Sequence, residues 1–238
     1  MADKIELAGI AVDVVKKDIK NVHLSVYPPT GKVRISAPRR MDLDTIRIFA
    51  VAKLAWIRQQ QKKITAQERE PPRDYIDRES HYLWGKRFLL KVVEQDAPPK
   101  VELQHRHILL QTRTGAKEEQ RRAILDEWYR AHLKEAAPPL IAKWERLMGV
   151  KVLRVFVQQM KTKWGSCSRH SASIRLNSDL AKKPRECLEY IVIHEMVHLL
   201  EPTHNAHFIA LMDRFLPSWR AHRDNLNRLP LRHENWGY

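Results

Sequence analysis

Residues 185–200 constrain this chain more than any other stretch. Leu188, Ile191, Val192, Ile193, Val197, Leu199 and Leu200 form an apolar run, and His194-Glu195-Met196-Val197-His198 sits inside it. Residues three and four apart share a helix face, so Cys187, Tyr190, Ile191, His194 and His198 advance along one side of a helix. A helix apolar on nearly every side belongs in the interior of a fold, and imidazoles carried inside with it need polar partners. One metal ion can serve both histidines, with Glu195 beside it to handle a proton.

A third ligand is expected just beyond. Pro202 cannot continue the helix, so the chain should turn there and return His204 to the metal. Glu201, seven residues after His194, stays near the same helical face. It ranks second, as a ligand or as an acceptor that orients a ligand histidine, and His207 ranks third. The spacing from His194 to His198 to His204 equals that of the metzincin metalloproteases, which have glycine where Glu201 stands, so this turn must differ. Three neutral imidazoles leave one zinc position open for a water whose pKa falls to roughly 7. Glu195 can take that water's proton and pass it to the leaving group. Zinc is favoured by its fit to histidine, with Mn2+, Ni2+ or Co2+ as alternatives.

The rest of the chain fits a folded, metal-dependent hydrolase. Hydrophobic content of 43% and only 7 glycines in 238 residues exclude a disordered chain. No stretch reaches the ~18 uninterrupted apolar residues of a membrane span, and the N-terminus lacks a signal-peptide layout. No membrane partner and a cytoplasmic location are the expectations. Two cysteines, Cys167 and Cys187, are too few for a disulfide framework. The net charge of +15 is spread over nearly every segment. It suits nucleic-acid association, nucleotides or acidic peptides, but neither zinc-finger spacing nor a strand of clustered RNA-stacking aromatics accompanies it.

The organisation expected is α+β: a β-rich N-terminal region with one long helix over residues 1–115, then a catalytic domain over residues 116–238. Alternating Val12, Val14, then Val22, Leu24, Val26, then Val33, Ile35 predict strands, with a turn at Pro28-Pro29-Thr30-Gly31. Asp42 or Asp44 caps a helix that carries Ile46 to Ile57 and ends in Gln59 to Lys63. Residues 66–80 read as loop, Phe88–Val93 and Ile108–Gln111 as strands. A helix over residues 118–136 is expected to break at Pro138-Pro139, and a second to run on to a C-cap at Gly149. Val150–Met160 and Ser171–Asn177 read as strands, the latter with Ser173 and Arg175 facing out. Helices over Arg185–Leu200 and Ala206–Phe215 follow. No internal repeat is legible.

A second motif precedes the strand at Ile174. Read together, Lys161, Trp164-Gly165-Ser166-Cys167, Ile174, Leu176-Asn177, the His194 to His198 stretch, Leu199, Glu201, His204 and Phe208 resemble the YgjP-like metallopeptidases, related to the SprT-like group. The resemblance covers residues 115–215 specifically, and the N-terminal half more weakly. It implies a zincin-like core with a small sheet packed on helices, His194, His198 and His204 as ligands, and Glu195 as catalytic acid and base. It also implies a tryptophan-glycine loop beside the cleft. There Gly165 would permit close backbone approach, and Lys161, Lys163, Trp164 and Ser166 would be substrate-binding candidates. Without a base tied to it, Cys167 reads as a small core residue and not a nucleophile.

The substrate stays open between classes. A metallopeptidase is favoured, with residues 171–177 as the edge strand that aligns an extended peptide. Hydrolysis of a nucleoside triphosphate to monophosphate and diphosphate is the alternative, favoured by the charge and the lysines. A DNA-associated module with a structural zinc is the third reading, against which Glu195 argues, because a structural site closes with four protein ligands.

Overall fold

The computed structural model describes residues 3–27, 30–66, 69–161 and 163–230. It is an α+β protein with two compact units, one built on Met1–Glu70 and one on Pro71–Leu229. Among the described residues no helix is long and apolar enough to cross a membrane.

The first unit is a four-stranded sheet covered by two helices. Its strands are β1 (Asp3–Leu7), β2 (Ile10–Lys17), β3 (His23–Tyr27) and β4 (Lys32–Pro38), and the helices are α1 (Leu43–Ala52) and α2 (Leu54–Ala66). The strand order is β1-β2-β4-β3, with β2 and β4 parallel and the other pairs antiparallel. The alternation of Val12 with Val14 and of Val33 with Ile35 puts all four in a core completed by Ile46, Ala50 and Ile57. Asp42, not Asp44, caps α1, its Oδ1 accepting from the Thr45 N–H at 2.7 Å. The single long helix expected here is two, divided at Lys53 (φ −103°, ψ 7°). The sequence also gave no warning of β1, and the turn expected at Pro28-Pro29 lies outside the described residues.

The second unit begins with β5 (Ser80–Leu83), β6 (Lys86–Glu94), β7 (Lys100–Gln104) and β8 (His107–Thr112). Their order is β5-β6-β8-β7, again with the middle pair parallel. This repeats the first sheet's topology, down to a positive-φ pair in the opening hairpin: Ala8-Gly9 in one, Trp84-Gly85 in the other. A repeat is therefore present in the fold that side-chain identity does not reveal. Leu90, Ile108 and Leu110 of the sheet, with Tyr75 from the segment before it, close on Leu125 of the following helix. For that reason the second sheet falls within Pro71–Leu229 and the expected division near residue 115 does not coincide with the compact units.

That helix, α3 (Glu118–Met148), runs through Pro138 and Pro139 without a break. Leu125, Tyr129, Leu133, Ala137, Ile141, Trp144 and Met148 form one buried stripe on both sides of the prolines. Burying each of the larger aliphatic ones is worth ~1.5–3 kcal/mol, against ~3 kcal/mol for an interior proline. Both prolines, and the Lys134 and Glu135 whose carbonyls lose an N–H partner, lie on the exposed face, where those carbonyls are open to solvent. Gly149, at φ 68°, caps the helix as expected.

A three-stranded sheet follows: β9 (Arg154–Gln158), β10 (Gly165–Ser168) and β11 (Ser173–Asn177). Their order, β10-β11-β9, makes β11 the central strand. Ser173 is buried with Ile174 and Leu176, not turned outward as alternation suggested. A 3-10 turn (Ser178–Lys182) leads into α4 (Arg185–Leu200), then α5 (Ala206–Phe215) and α6 (Trp219–Arg228). α4 is buried between the small sheet and α5 and α6, with Ile174, Met212, Trp219 and Leu226 in the same core as Val192, Ile193 and Met196.

Candidate metal centre

α4 delivers two imidazoles and a carboxylate from one buried helix. It ends at Leu200 because Glu201 is extended (φ −130°, ψ 113°), the conformation that a following proline imposes. The chain turns through Pro202, and Asn205 caps α5 by accepting from the Phe208 N–H at 3.0 Å. His204, on that turn, faces α4. Its Nε2 lies 3.1 Å from Nε2 of His194, and ligand nitrogens of His194, His198 and His204 lie within 4.8 Å of one another.

Burial, then the neighbouring His198 and His204, push the His194 pKa down to about 3. His194 is thus a neutral imidazole, and its Nδ1 is buried without a hydrogen-bond partner among the described residues. Holding one nitrogen unpartnered and the other against a second imidazole is unfavourable for the chain alone, and a cation shared by the two Nε2 atoms would relieve the second of these. His198 is also lowered, first by burial. Its Nδ1 lies 3.1 Å from the Glu201 carbonyl oxygen. As an Nδ1–H donor there, it leaves Nε2 as the lone pair.

Glu201 therefore reaches the centre through its backbone. Its carboxylate is elsewhere, accepting from the Thr203 N–H at 3.1 Å and the Thr203 hydroxyl at 2.9 Å. Those bonds, the backbone N–H first, hold its pKa down to about 2. His207 is exposed and faces that carboxylate at 3.4 Å, apart from the three histidines.

Glu195 is buried beside β10. Burial pushes its pKa up to about 7, with Lys163 acting in the opposite sense. β10 comes so close that a Cβ on Gly165 would stand 2.7 Å from Glu195 Oε1. Of the expected tryptophan-glycine loop, Gly165 to Cys167 are in this strand and Lys163 and Trp164 lead into it. It is an edge of its sheet, whereas β11, expected as the substrate-aligning edge, is central.

Lys163, Trp164, Ser166, Cys167 and Arg169 line a cleft of about 470 Å³ together with Glu195 and the three histidines. Lys161 is exposed and not among the lining residues, and Thr162 lies outside the described ones. Cys167 is half-buried on the cleft wall, not in the core. Burial first, then Glu195, push its thiol up to about 11, which keeps it protonated and non-nucleophilic.

Three contributors went unassigned in the sequence. Phe208 is buried under the three imidazoles, its ring centroid 5.0, 4.7 and 4.6 Å from those of His194, His198 and His204. Asn177 donates from Nδ2 to the carbonyls of Met160 and Lys163 and from its N–H to that of Trp164, pinning the segment that enters β10. Arg169 lies on the cleft wall with its Nε–H on the Leu199 carbonyl at 3.2 Å. Phe208 and Asn177 stand in the motif itself, and their type and spacing were the available signal.

The sequence model of the YgjP-like metallopeptidase domain matches residues 20–229. Among solved structures, the chain is similar to the metallopeptidase zymogen abylysin of Pyrococcus abyssi. The identity is 22% over 37% of this chain and 89% of that one, with a TM-score of 0.35. It is also similar to the metallopeptidase zymogen jannalysin of Methanocaldococcus jannaschii, at 18% identity over 37% and 90%, with a TM-score of 0.34. No curated protein matches the chain.

Proposed function

This chain belongs to the YgjP-like metallopeptidase family, and we propose that it is a zinc-dependent peptidase with His194, His198 and His204 as ligands and Glu195 as general acid and base. The convergence of the three imidazoles carries this reading. Ligand nitrogens ~2.0–2.1 Å from a tetrahedral zinc stand about 3.3 Å apart, close to the 3.1 Å between His194 and His204. Three imidazole donors favour zinc, with manganese, nickel or cobalt as alternatives.

When bound, the metal supplies Lewis-acid activation of water and of the electrophile's oxygen. The chain supplies the rest. Glu195 takes a proton from water and returns it to the leaving nitrogen. The Glu201 carbonyl fixes the His198 tautomer, and Phe208 packs beneath all three rings. The edge strand β10, bordering the cleft, offers backbone groups to an extended peptide.

The test is cleavage of unfolded protein or peptides by the metal-loaded chain. Glu195→Gln should abolish it while metal content stays at one equivalent. Unchanged cleavage by that variant would refute the assignment. A second reading, hydrolysis of a nucleoside triphosphate to monophosphate and diphosphate, is favoured by Lys163 and Arg169 on the cleft wall. Diphosphate release with no peptide cleavage would select it.

A further inference from the structure

Arg169 differs from the other basic residues of this surface in how it is held. Its backbone begins the turn between β10 and β11, where the Ala172 N–H donates to the Arg169 carbonyl at 3.2 Å. Hydroxyls brace the same turn: Ser171 Oγ donates to Ser168 Oγ at 2.9 Å and lies 2.8 Å from Ser173 Oγ. The guanidinium is tethered as well, through Nε–H to the Leu199 carbonyl at 3.2 Å. Nη1 and Nη2 make no hydrogen bond or ion pair among the described residues.

One reading is that Arg169 only caps the C-terminal end of α4, where a cation and a donor are favourable. A cap uses one N–H and leaves the rest of the fork to solvent. Arg169 is, however, one of the residues that line the cleft holding the three histidines. Among the described residues, Glu195 is the single acidic residue in that lining, whereas Lys163 and Arg169 contribute two cations, one before β10 and one directly after it. A concave site so lined draws in anions. A guanidinium with its backbone and one N–H already fixed loses little freedom on receiving an oxyanion in a two-point contact.

We propose that Arg169 is the anion-recognition residue of the cleft, presenting Nη1 and Nη2 to a carboxylate or phosphate of the substrate while Nε–H stays on the Leu199 carbonyl. This rests on the cleft being the substrate site of the proposed hydrolase, and it sets which substrates that site takes. The oxyanion is an acidic side chain of a peptide or a phosphate of a nucleotide, and the two arms of the test separate them.

Binding to the metal-loaded, full-length Glu195→Gln protein is measured by calorimetry, so no turnover is needed. One arm compares an aspartate-containing hexapeptide with its asparagine counterpart. The other compares a nucleoside triphosphate with the nucleoside. In at least one arm the anionic ligand should bind tighter than its neutral partner. Adding Arg169→Gln should weaken it at least 10-fold and change the neutral partner less than twofold, and Arg169→Lys should fall between. Three results overturn the proposal: no anion preference or no anion binding in either arm, an anion affinity indifferent to Arg169, or equal losses for charged and neutral ligands, as a purely structural cap would give. Absence of peptide cleavage by the unsubstituted enzyme would refute the peptidase reading alone, since the binding arms stand without it.

Discussion

Gly165→Ala probes the closest approach in the centre. Gly165 is not among the positive-φ glycines, so alanine is compatible with its backbone and the effect is one of space alone. The new Cβ would meet Glu195 Oε1 at 2.7 Å, Cγ at 2.8 Å and Cδ at 3.0 Å. Comfortable carbon contacts are ~3.5–4.0 Å, so the carboxylate must move by roughly 1 Å. The three nearest atoms all belong to one side chain, which is only 5% exposed and has little room to swing. The displacement therefore falls on the position of the acid and base more than on the fold. A misplacement of about 1 Å costs on the order of 100-fold in rate, or about 2.7 kcal/mol of transition-state stabilisation. Overpacking costs ~1–3 kcal/mol of stability. The assays are kcat/KM, metal content and chemical denaturation, each repeated in a Glu195→Ala background. There the clash is gone, so Gly165→Ala should destabilise by almost nothing, and the difference is the coupling between the two positions. Full activity in Gly165→Ala, or the same stability loss in both backgrounds, would refute the reasoning.

His198→Ala should abolish stoichiometric metal binding by elemental analysis. A chelator should lower the Tm of the parent but not of the variant, since a ligand at ~1,000 times its Kd stabilises by ~4 kcal/mol; a fully loaded variant contradicts the ligand set. Gly85→Ala should destabilise by ~1–3 kcal/mol, because Gly85 has φ +78° and its Cβ would lie 2.9 Å from Pro184 Cγ at the start of α4; an unchanged Tm would disprove the contact. Burial raises the pKa of Glu79, but His81, its Nε2 3.1 Å away, and hydrogen bonds from Arg73 and the Tyr75 N–H outweigh it and hold the carboxyl at about 2, below its ordinary 4.5. The unfolded chain then takes up that proton first, so the stability Glu79 contributes is whole above about pH 4.5 and is lost as pH falls to about 2. Denaturation of Glu79→Gln should show a flatter acid limb over that window, and an identical limb would count against the pairing.

Local rules made α4 readable from its letters. Histidines one turn apart share a face, the apolar run requires burial, and Pro202 forces Glu201 out of the helix. Each of these acts within a few residues, so the return of His204 follows from the chain itself. The same rules misjudged Pro138-Pro139, where a stripe from Leu125 to Met148 packed on the core outweighs two lost hydrogen bonds. They also grouped the second sheet with the first, since strand pattern says nothing about which core a sheet joins.

By itself, then, the sequence determined the helix, its end, the three histidines and the acid beside them, because periodicity and proline geometry are short-range properties. Tertiary structure alone decided that β10 and not β11 is the edge, and that Gly165 lies against Glu195. It also decided that Glu201 serves His198 with a backbone carbonyl and that Phe208 underlies the rings. Those facts depend on which surfaces meet when residues far apart in the chain pack at near-crystalline density, and no local pattern encodes that meeting.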